Sequence, residues 1–171
     1  INPRHFYQTA VSHWLQRTPR PLSIRQVLYF GRHPTRQKLV ASANHAAEEL
    51  TIRFAHRLNM MQRLPYRIME NPHFLTVYEK YIHSFDMIRK LGRIQTLNDN
   101  EKFCETGNKL LTLHTRVAAD IITGMLEHMH YGCDSSDTAV INKLVAILLT
   151  SRLSRRVLVK QHLELTKALE T

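Results

Sequence analysis

Four long stretches of this chain carry apolar residues three and four positions apart, and glycine or proline rarely interrupts them. The whole sequence of 171 residues holds only 5 Gly and 6 Pro. Spacing of this kind follows the 3.6-residue period of an α-helix and gives each stretch one apolar face. It predicts four long helices after two short ones, at about 5–17, 22–31, 36–63, 71–91, 98–132 and 136–169. Long helices with short connections pack into an antiparallel four-helix bundle. We therefore predict an all-α fold, with one domain over residues 1–171.

Capping signals support these boundaries. Asn71 followed by Pro72 is typical of an N-cap with a first-turn proline. Asn98 with Glu101 three positions later predicts a capping box. Glycines follow three of the periodic stretches, where a C-terminal cap is expected, namely Gly31, Gly92 and Gly132.

The charge balance favours an anionic partner without identifying it. Lys and Arg number 24 against 14 Asp and Glu, a formal net charge of +10. Nucleic acid, an acidic protein and an acidic membrane surface would all suit such a charge. No apolar run approaches the roughly 18–20 residues that span a bilayer, and no signal-peptide core opens the chain. We therefore expect no membrane partner.

Motifs for catalysis, nucleotides or metals are missing from the sequence. There is no glycine-rich phosphate loop, and spacing alone supports no nucleophile arrangement. His128, His130 and Cys133 are a weak metal set, because histidines two apart on a helix point in different directions. Cys104 and Cys133 have no metal-type spacing and suit a reducing compartment. We expect no catalytic residue, metal or cofactor in this chain.

Three of the apolar stripes become polar over a short stretch. In the last helix the stripe runs through Ser151 and Ser154, and in the one before it through His114. The helix at 71–91 offers Tyr81 with Ser84 nearly one turn later. Buried polar groups need partners, so a cluster of these side chains is easier to explain than isolated ones.

Arginines border this polar stretch. Arg152 and Arg156 are one helical turn apart, and their guanidinium groups suit a small carboxylate. Two interpretations remain open on these residues alone. They line an anion pocket, or they form a solvated face whose aliphatic stems lie along the bundle.

Five segments then carry a resemblance, in order and in register. They are PLSIRQVLYFG (21–31), EELTIRFAHRL (48–58), LPYRIMENPHFLTVYEKYIHSF (64–85), LHTRVAADIITGMLE (113–127) and SRLSRRVLVKQHLEL (151–165). Together the segments resemble the N-terminal helical domain of the mitochondrial pyruvate and branched-chain 2-oxoacid dehydrogenase kinases, over essentially the whole chain.

The resemblance implies a regulatory and docking domain of a protein serine kinase. In that family an ATP-binding domain of the histidine-kinase/Hsp90 type follows, and the enzyme inactivates its dehydrogenase complex by phosphorylating the dehydrogenase subunit. ATP and Mg²⁺ are expected for the full-length enzyme, and this chain alone is expected to be inactive because the ATP-binding domain is absent from it. The implied partners are that subunit, a lipoyl domain of the acyltransferase core and small 2-oxoacids, in the mitochondrial matrix, with no nucleic acid.

The resemblance also implies two sets of site residues. The allosteric 2-oxoacid pocket falls on Phe54, Tyr81, Ser84, Leu110, His114, Ser151, Arg152, Arg155, Arg156 and Val159. Two residues depart from the family pattern: Arg155 replaces an aliphatic residue or glycine, and Leu111 replaces an arginine frequent in pyruvate-type kinases. Lipoyl docking falls on Leu22, Val27, Phe30 and His45.

The sequence leaves the target complex and the oligomeric state open. Pyruvate and branched-chain dehydrogenases both suit it. A second interpretation of the function is a stand-alone basic helical bundle that binds nucleic acid or an acidic protein.

Overall fold

A computed structural model describes residues 3–21, 23–31, 35–130 and 135–170. These residues form helices joined by short turns, with no β-strand among them. In chain order the helices are α1 (Pro3–Leu15), α2 (Ile24–Gly31), α3 (Arg36–Gln62), α4 (Tyr66–Met69), α5 (Pro72–Arg89), α6 (Leu97–Leu113), α7 (Val117–His130) and α8 (Ser135–Glu170). The all-α prediction is confirmed.

The helices pack as a bundle around one apolar core. α3 packs against α5, α6 and α8, while α7 packs between α5 and α8. α6 and α7 follow each other and together occupy one side of the bundle. α1 lies on α3, and α2 contacts α3 and α8. The antiparallel arrangement of the long helices stays a prediction.

The prediction of one uninterrupted helix over 98–132 is wrong. This stretch is two helices, α6 and α7, separated by a turn at 114–116. Thr112 and Thr115 return hydroxyl hydrogen bonds of 3.1 Å to the carbonyls four residues earlier, a pattern that bends helices. The His114 backbone, at φ −89° and ψ 5°, has already left the helical region. Sequence patterning missed the break because neither Gly nor Pro marks it.

Side-chain caps fix where α5 and α6 begin. The Asn71 side chain accepts hydrogen bonds from the backbone of His73 and Phe74, as predicted, with Pro72 in the first turn. The predicted capping box of Asn98 and Glu101 is wrong by two residues, because Thr96 and Asp99 form it. In this box Thr96 accepts from the Asp99 N–H while the Asp99 carboxylate accepts from the Thr96 N–H.

The glycine predictions have different outcomes. Gly92 follows α5 with φ 67°, a left-handed backbone that glycine adopts without steric cost. Gly31 is the last residue of α2 rather than the one after it, and Gly132 lies outside the described residues.

Ion pairs with at least one buried or half-buried partner lie at the margins of the core. Lys80 of α5 meets Asp120 of α7 at 2.7 Å, and Arg67 of α4 meets Asp137 of α8 at 2.6 Å. In α3, Glu49 pairs with Arg53 at 3.3 Å, and both bond the backbone of Arg20. Within the described ranges no helix is long and apolar enough to cross a membrane.

At Gly107, α6 approaches α8 closely. A Cβ at this position would lie 2.9 Å from Cγ1 of Val159. Val159 is buried and has little rotamer freedom, so a side chain at 107 must push the two helices apart.

We therefore predict that Gly107→Val lowers the free energy of unfolding by about 1–3 kcal/mol through overpacking. Valine has a better helix propensity than glycine, so the local effect alone has the opposite sign. The same change at Gly31, with no neighbour within 4 Å of its Cβ, is the control. Urea unfolding measures both, and an equally or more stable Gly107→Val chain would contradict tight helix contact here.

Candidate functional site

A cavity of about 280 Å³ opens between α3, α8 and the break after α6. Its wall contains Phe54 from α3, Leu110 from α6, His114 from the break, and Arg152, Arg155, Arg156 and Val159 from α8. These are members of the predicted pocket, and the fold brings them together from three parts of the chain. The wall of the cavity therefore combines apolar side chains with guanidinium groups.

Tyr81, Ser84 and Ser151 lie behind this wall rather than in it. The Tyr81 hydroxyl accepts a hydrogen bond from Arg155, and the Ser151 hydroxyl accepts another from Arg155 Nη1 at 2.8 Å. Ser84 bonds His114 at 2.7 Å. Each of the three therefore orients a residue that lines the cavity.

Arg155 has an unusual environment for a cation. Its side chain is 4% exposed, and its guanidinium carbon lies 4.6 Å from the centroid of the Tyr81 ring and 4.9 Å from that of Phe54. The two rings meet edge to face at 5.6 Å. Cation–π contact offsets part of the cost of burial. Burial lowers the pKa of Arg155, yet guanidinium titrates so high that the group stays charged at neutral pH.

His114 is neutral in this site. Burial first, and then the positive charges of Arg155 and Lys80, lower its pKa from 6.5 to about 3. The Ser84 hydroxyl donates to the carbonyl of Lys80 at 2.7 Å, so it can only accept from His114 Nε2–H. His114 therefore has its single proton committed to Ser84.

Arg152 closes the helix break. Its Nε donates to the His114 carbonyl at 3.4 Å and its Nη2 to the Thr115 carbonyl at 3.3 Å. At this turn the His114 carbonyl also accepts from the Val117 N–H at 3.3 Å, so Arg152 adds a second donor to it. Arg152 thus connects α8 to the break and fixes one edge of the cavity.

Sequence reasoning missed part of the cavity wall. The additional lining residues are Leu50, Leu111, Thr112, Thr115 and Lys160. Leu111, Thr112 and Thr115 line the cavity because of the helix break, which no sequence pattern predicted. Lys160 follows Arg156 by one turn, so helical spacing alone contained that signal.

Acidic side chains are missing from this wall. Within the described part of the chain no Asp or Glu lines the cavity, whereas Arg152, Arg155, Arg156 and Lys160 do. The cavity is thus a concentrated positive field bounded by an apolar surface, a setting that favours a small anion.

The predicted docking residues are only partly described. Leu22 lies outside the described residues, as does the side chain of Val27. Phe30 of α2 and His45 of α3 are brought together, with rings stacked at 6.4 Å and 26°. Beside them Leu28 and Tyr29 are more than half exposed. Of the weak metal set, Cys133 is not described, and the described residues contain no group of three metal-type ligands.

A family model described as mitochondrial branched-chain alpha-ketoacid dehydrogenase kinase matches residues 21–171. The chain belongs to this family. The resemblance seen in the five segments is confirmed.

Curated relatives carry the name of the pyruvate-directed enzyme. Mitochondrial pyruvate dehydrogenase (acetyl-transferring) kinase 2 of Saccharomyces cerevisiae is 35% identical over 97% of this chain and 35% of its own length. The mitochondrial pyruvate dehydrogenase kinase of Arabidopsis thaliana is 30% identical over 84% of this chain and 39% of its own. The human mitochondrial pyruvate dehydrogenase (acetyl-transferring) kinase isozyme 3 is 28% identical over 85% of this chain and 36% of its own length. The chain therefore spans little more than a third of these kinases.

A second buried polar cluster lies away from the cavity in this kinase-family domain. His162 of α8 bonds Asn100 of α6 at 2.8 Å and Ser42 of α3 at 3.1 Å. The Asn100 amide donates to Thr166, so its carbonyl oxygen accepts the proton of His162 Nε2. Burial lowers the pKa of His162 from 6.5 to about 4. The cluster joins three helices through a neutral imidazole.

These two histidines make stability depend on pH. Folded, both stay neutral down to pH values near 4 and 3. Unfolded, they take up protons near pH 6.5, so the unfolded state binds more protons below that pH. Stability must therefore fall as pH falls from about 6.5, by about 1.4 kcal/mol per pH unit for each histidine.

We predict that His162→Leu makes the decline between about pH 6 and pH 5 shallower by roughly 1.4 kcal/mol per unit. The variant also loses stability at neutral pH, since Asn100 and Ser42 lose a partner. Urea unfolding at the two pH values separates the effects. An unchanged slope would contradict a neutral His162.

Proposed function

We propose that the full-length protein is a mitochondrial protein serine kinase of a 2-oxoacid dehydrogenase complex. This chain would be its N-terminal regulatory domain. Membership of the family supports the proposal, as do the names of the relatives. The dehydrogenase subunit would be the substrate, and phosphorylation would switch it off in the matrix. ATP and Mg²⁺ would bind in the part of the enzyme that the relatives have beyond this match, so the chain alone would be inactive.

We infer that the cavity beside α8 is an allosteric site for 2-oxoacids. The observation that carries this inference is a small cavity with several cations, an apolar wall and no acidic lining residue among those described. A carboxylate would pair with Arg152 and Arg156, whose planar forks match its two oxygens. The rest of the ligand would lie against Phe54, Leu110 and Val159.

His114 adds a proton linkage to this proposal. The neutral ring donates to Ser84 and has no second proton for a ligand. A carboxylate placed beside the ring would raise the pKa of His114 and favour the charged form. Binding would therefore strengthen as pH falls.

Regulation would be a shift between two arrangements of the bundle. A ligand changes such an equilibrium only by its difference in affinity for the two states, typically about 1–3 kcal/mol. Arg152 supplies the connection, because it holds both the cavity edge and the carbonyls of the break.

We predict that Arg156→Ala weakens binding of a 2-oxoacid by about tenfold or more. Arg156 is exposed and caps no backbone group, so its removal tests the pocket more cleanly than removal of Arg152. Lys143→Ala removes one exposed charge from the same helix and is the control. Isothermal titration with pyruvate and 4-methyl-2-oxopentanoate gives the affinities.

Equal binding by the parent and Arg156→Ala would contradict the site. The preferred acid would favour one target complex, since the family model names the branched-chain 2-oxoacid dehydrogenase kinase and the relatives are named pyruvate dehydrogenase kinases.

The second proposed role is docking of a lipoyl domain at α2. The support is an aromatic pair, Phe30 and His45, beside exposed Leu28 and Tyr29. An apolar lipoyl group would lie on this surface, and the basic charge of the chain suits an acidic domain. The alternative, a bundle that binds nucleic acid, depends on phosphate contacts.

The dependence of binding affinity on salt concentration distinguishes lipoyl docking from nucleic-acid binding. We predict that binding to an isolated lipoyl domain changes less with salt than nucleic-acid binding does, and that Phe30→Ala weakens it, because the central contact is apolar. Nucleic-acid binding would instead fall by orders of magnitude between about 50 and 200 mM salt. Fluorescence titrations with both partners measure this. A steep salt dependence with DNA and no lipoyl binding would favour the alternative.

A further inference from the structure

Arg155 is a buried cation that lacks an anionic partner. It is 4% exposed, and among the described residues its hydrogen bonds go to two neutral hydroxyls, those of Tyr81 and Ser151. A guanidinium has five N–H groups. An unpaired buried charge is among the costliest arrangements in a folded protein. The site therefore has unused capacity for an anion at Arg155.

The neighbours of Arg155 increase this capacity. The positive charges of Arg57, Arg152 and Arg53 all lie close enough to repel the charge of Arg155. The Glu49 carboxylate is committed to Arg53. The cation–π contacts with Phe54 and Tyr81 supply only a partial negative potential. A ligand with negative charge would gain more from Arg155 than the protein itself provides.

The cations that line the cavity lie at two levels of burial. Arg155 is buried, whereas Arg152 is half-buried and Arg156 and Lys160 are exposed. Apolar surface from Leu110 and Val159 lies along the same cavity. A ligand held by Arg152 and Arg156 through one carboxylate would direct its other end toward Arg155. An alkyl end would leave that cation without an anionic partner.

We propose that the cavity selects a short 2-oxodicarboxylate, with one carboxylate at Arg152 and Arg156 and the second at Arg155. This inference rests on the proposed 2-oxoacid function of the cavity and specifies its ligand class. The cavity of about 280 Å³ lies at the small end of ligand sites, which run from roughly 300 to 1,000 Å³. A diacid of about four or five carbons suits that size.

A matched pair of ligands tests the proposal. 2-Oxopentanedioate and 2-oxopentanoate have the same carbon chain and differ in the second carboxylate alone. Isothermal titration of the chain should give an affinity for the diacid at least about tenfold higher. Equal affinities, or a preference for the monoacid, would overturn the dicarboxylate assignment and leave the proposed 2-oxoacid site intact. Binding of neither acid would overturn both.

Variants then locate the second carboxylate. Arg155→Leu should remove the preference for the diacid, so that diacid and monoacid bind with similar affinity, and Arg155→Lys should keep part of the preference. A diacid preference that survives Arg155→Leu would overturn the role of Arg155. Lys143→Leu, an exposed change on the same helix, is the control for lost charge. The ligand pair on the parent chain remains decisive if Arg155→Leu fails to fold, as circular dichroism would show.

Inorganic phosphate is the control for general anion binding. It should displace the diacid only weakly, because one small ion cannot reach both levels of cations. Displacement by phosphate at the concentration where the diacid itself binds would overturn selection by two separated carboxylates.

Discussion

The contact between Arg152 and the break after α6 is the interaction on which the site depends. An uninterrupted helix over residues 97–130 would present no free carbonyl groups at this level of the bundle. At the turn at 114–116 the His114 carbonyl accepts from the Val117 N–H, and Arg152 donates from α8 to the carbonyls of both His114 and Thr115. The same turn brings Leu111 and Thr112 into the cavity wall. Cavity and break are thus one structural feature.

Two buried polar levels divide the apolar core. At the cavity level the set is Tyr81, Ser84, His114 and Arg155, and at the other it is Ser42, Asn100, His162 and Thr166. The second level is satisfied within itself, because each donor has an acceptor in the cluster. The first level differs, since its cation has only neutral partners among the described residues. Hydrogen bonds within the cluster satisfy the polar groups of the second level. The first level contains a cation that could pair with an anionic ligand.

Periodicity predicted the helices because burial on one face dictates which positions are apolar. It also marked Ser151, His114 and Tyr81 as polar residues within apolar stripes, and the fold brings these three to one level. The break could not be predicted, because it arises from threonine hydroxyls bonding their own helix and from an arginine 38 residues away. The capping box shifted for a related reason: Thr96 and Asn98 are both good caps, and packing decides between them.

Arg152 cannot bind a ligand without weakening its hydrogen bonds to the helix break. Its Nε and Nη2 hold two backbone carbonyls at 3.4 and 3.3 Å, distances longer than strong charge-assisted bonds of about 2.7–2.9 Å. A carboxylate is a stronger acceptor than a carbonyl and would draw the guanidinium toward the cavity. The carbonyls of His114 and Thr115 would then lose a donor, and the angle between α6 and α7 would become freer to change. Because α7 packs on α5 and α8, a change in this angle would alter how α7 packs against both helices. Of these three helices, the ligand itself would touch only α8. This competition for one side chain is a physical route from a small acid to the shape of the bundle.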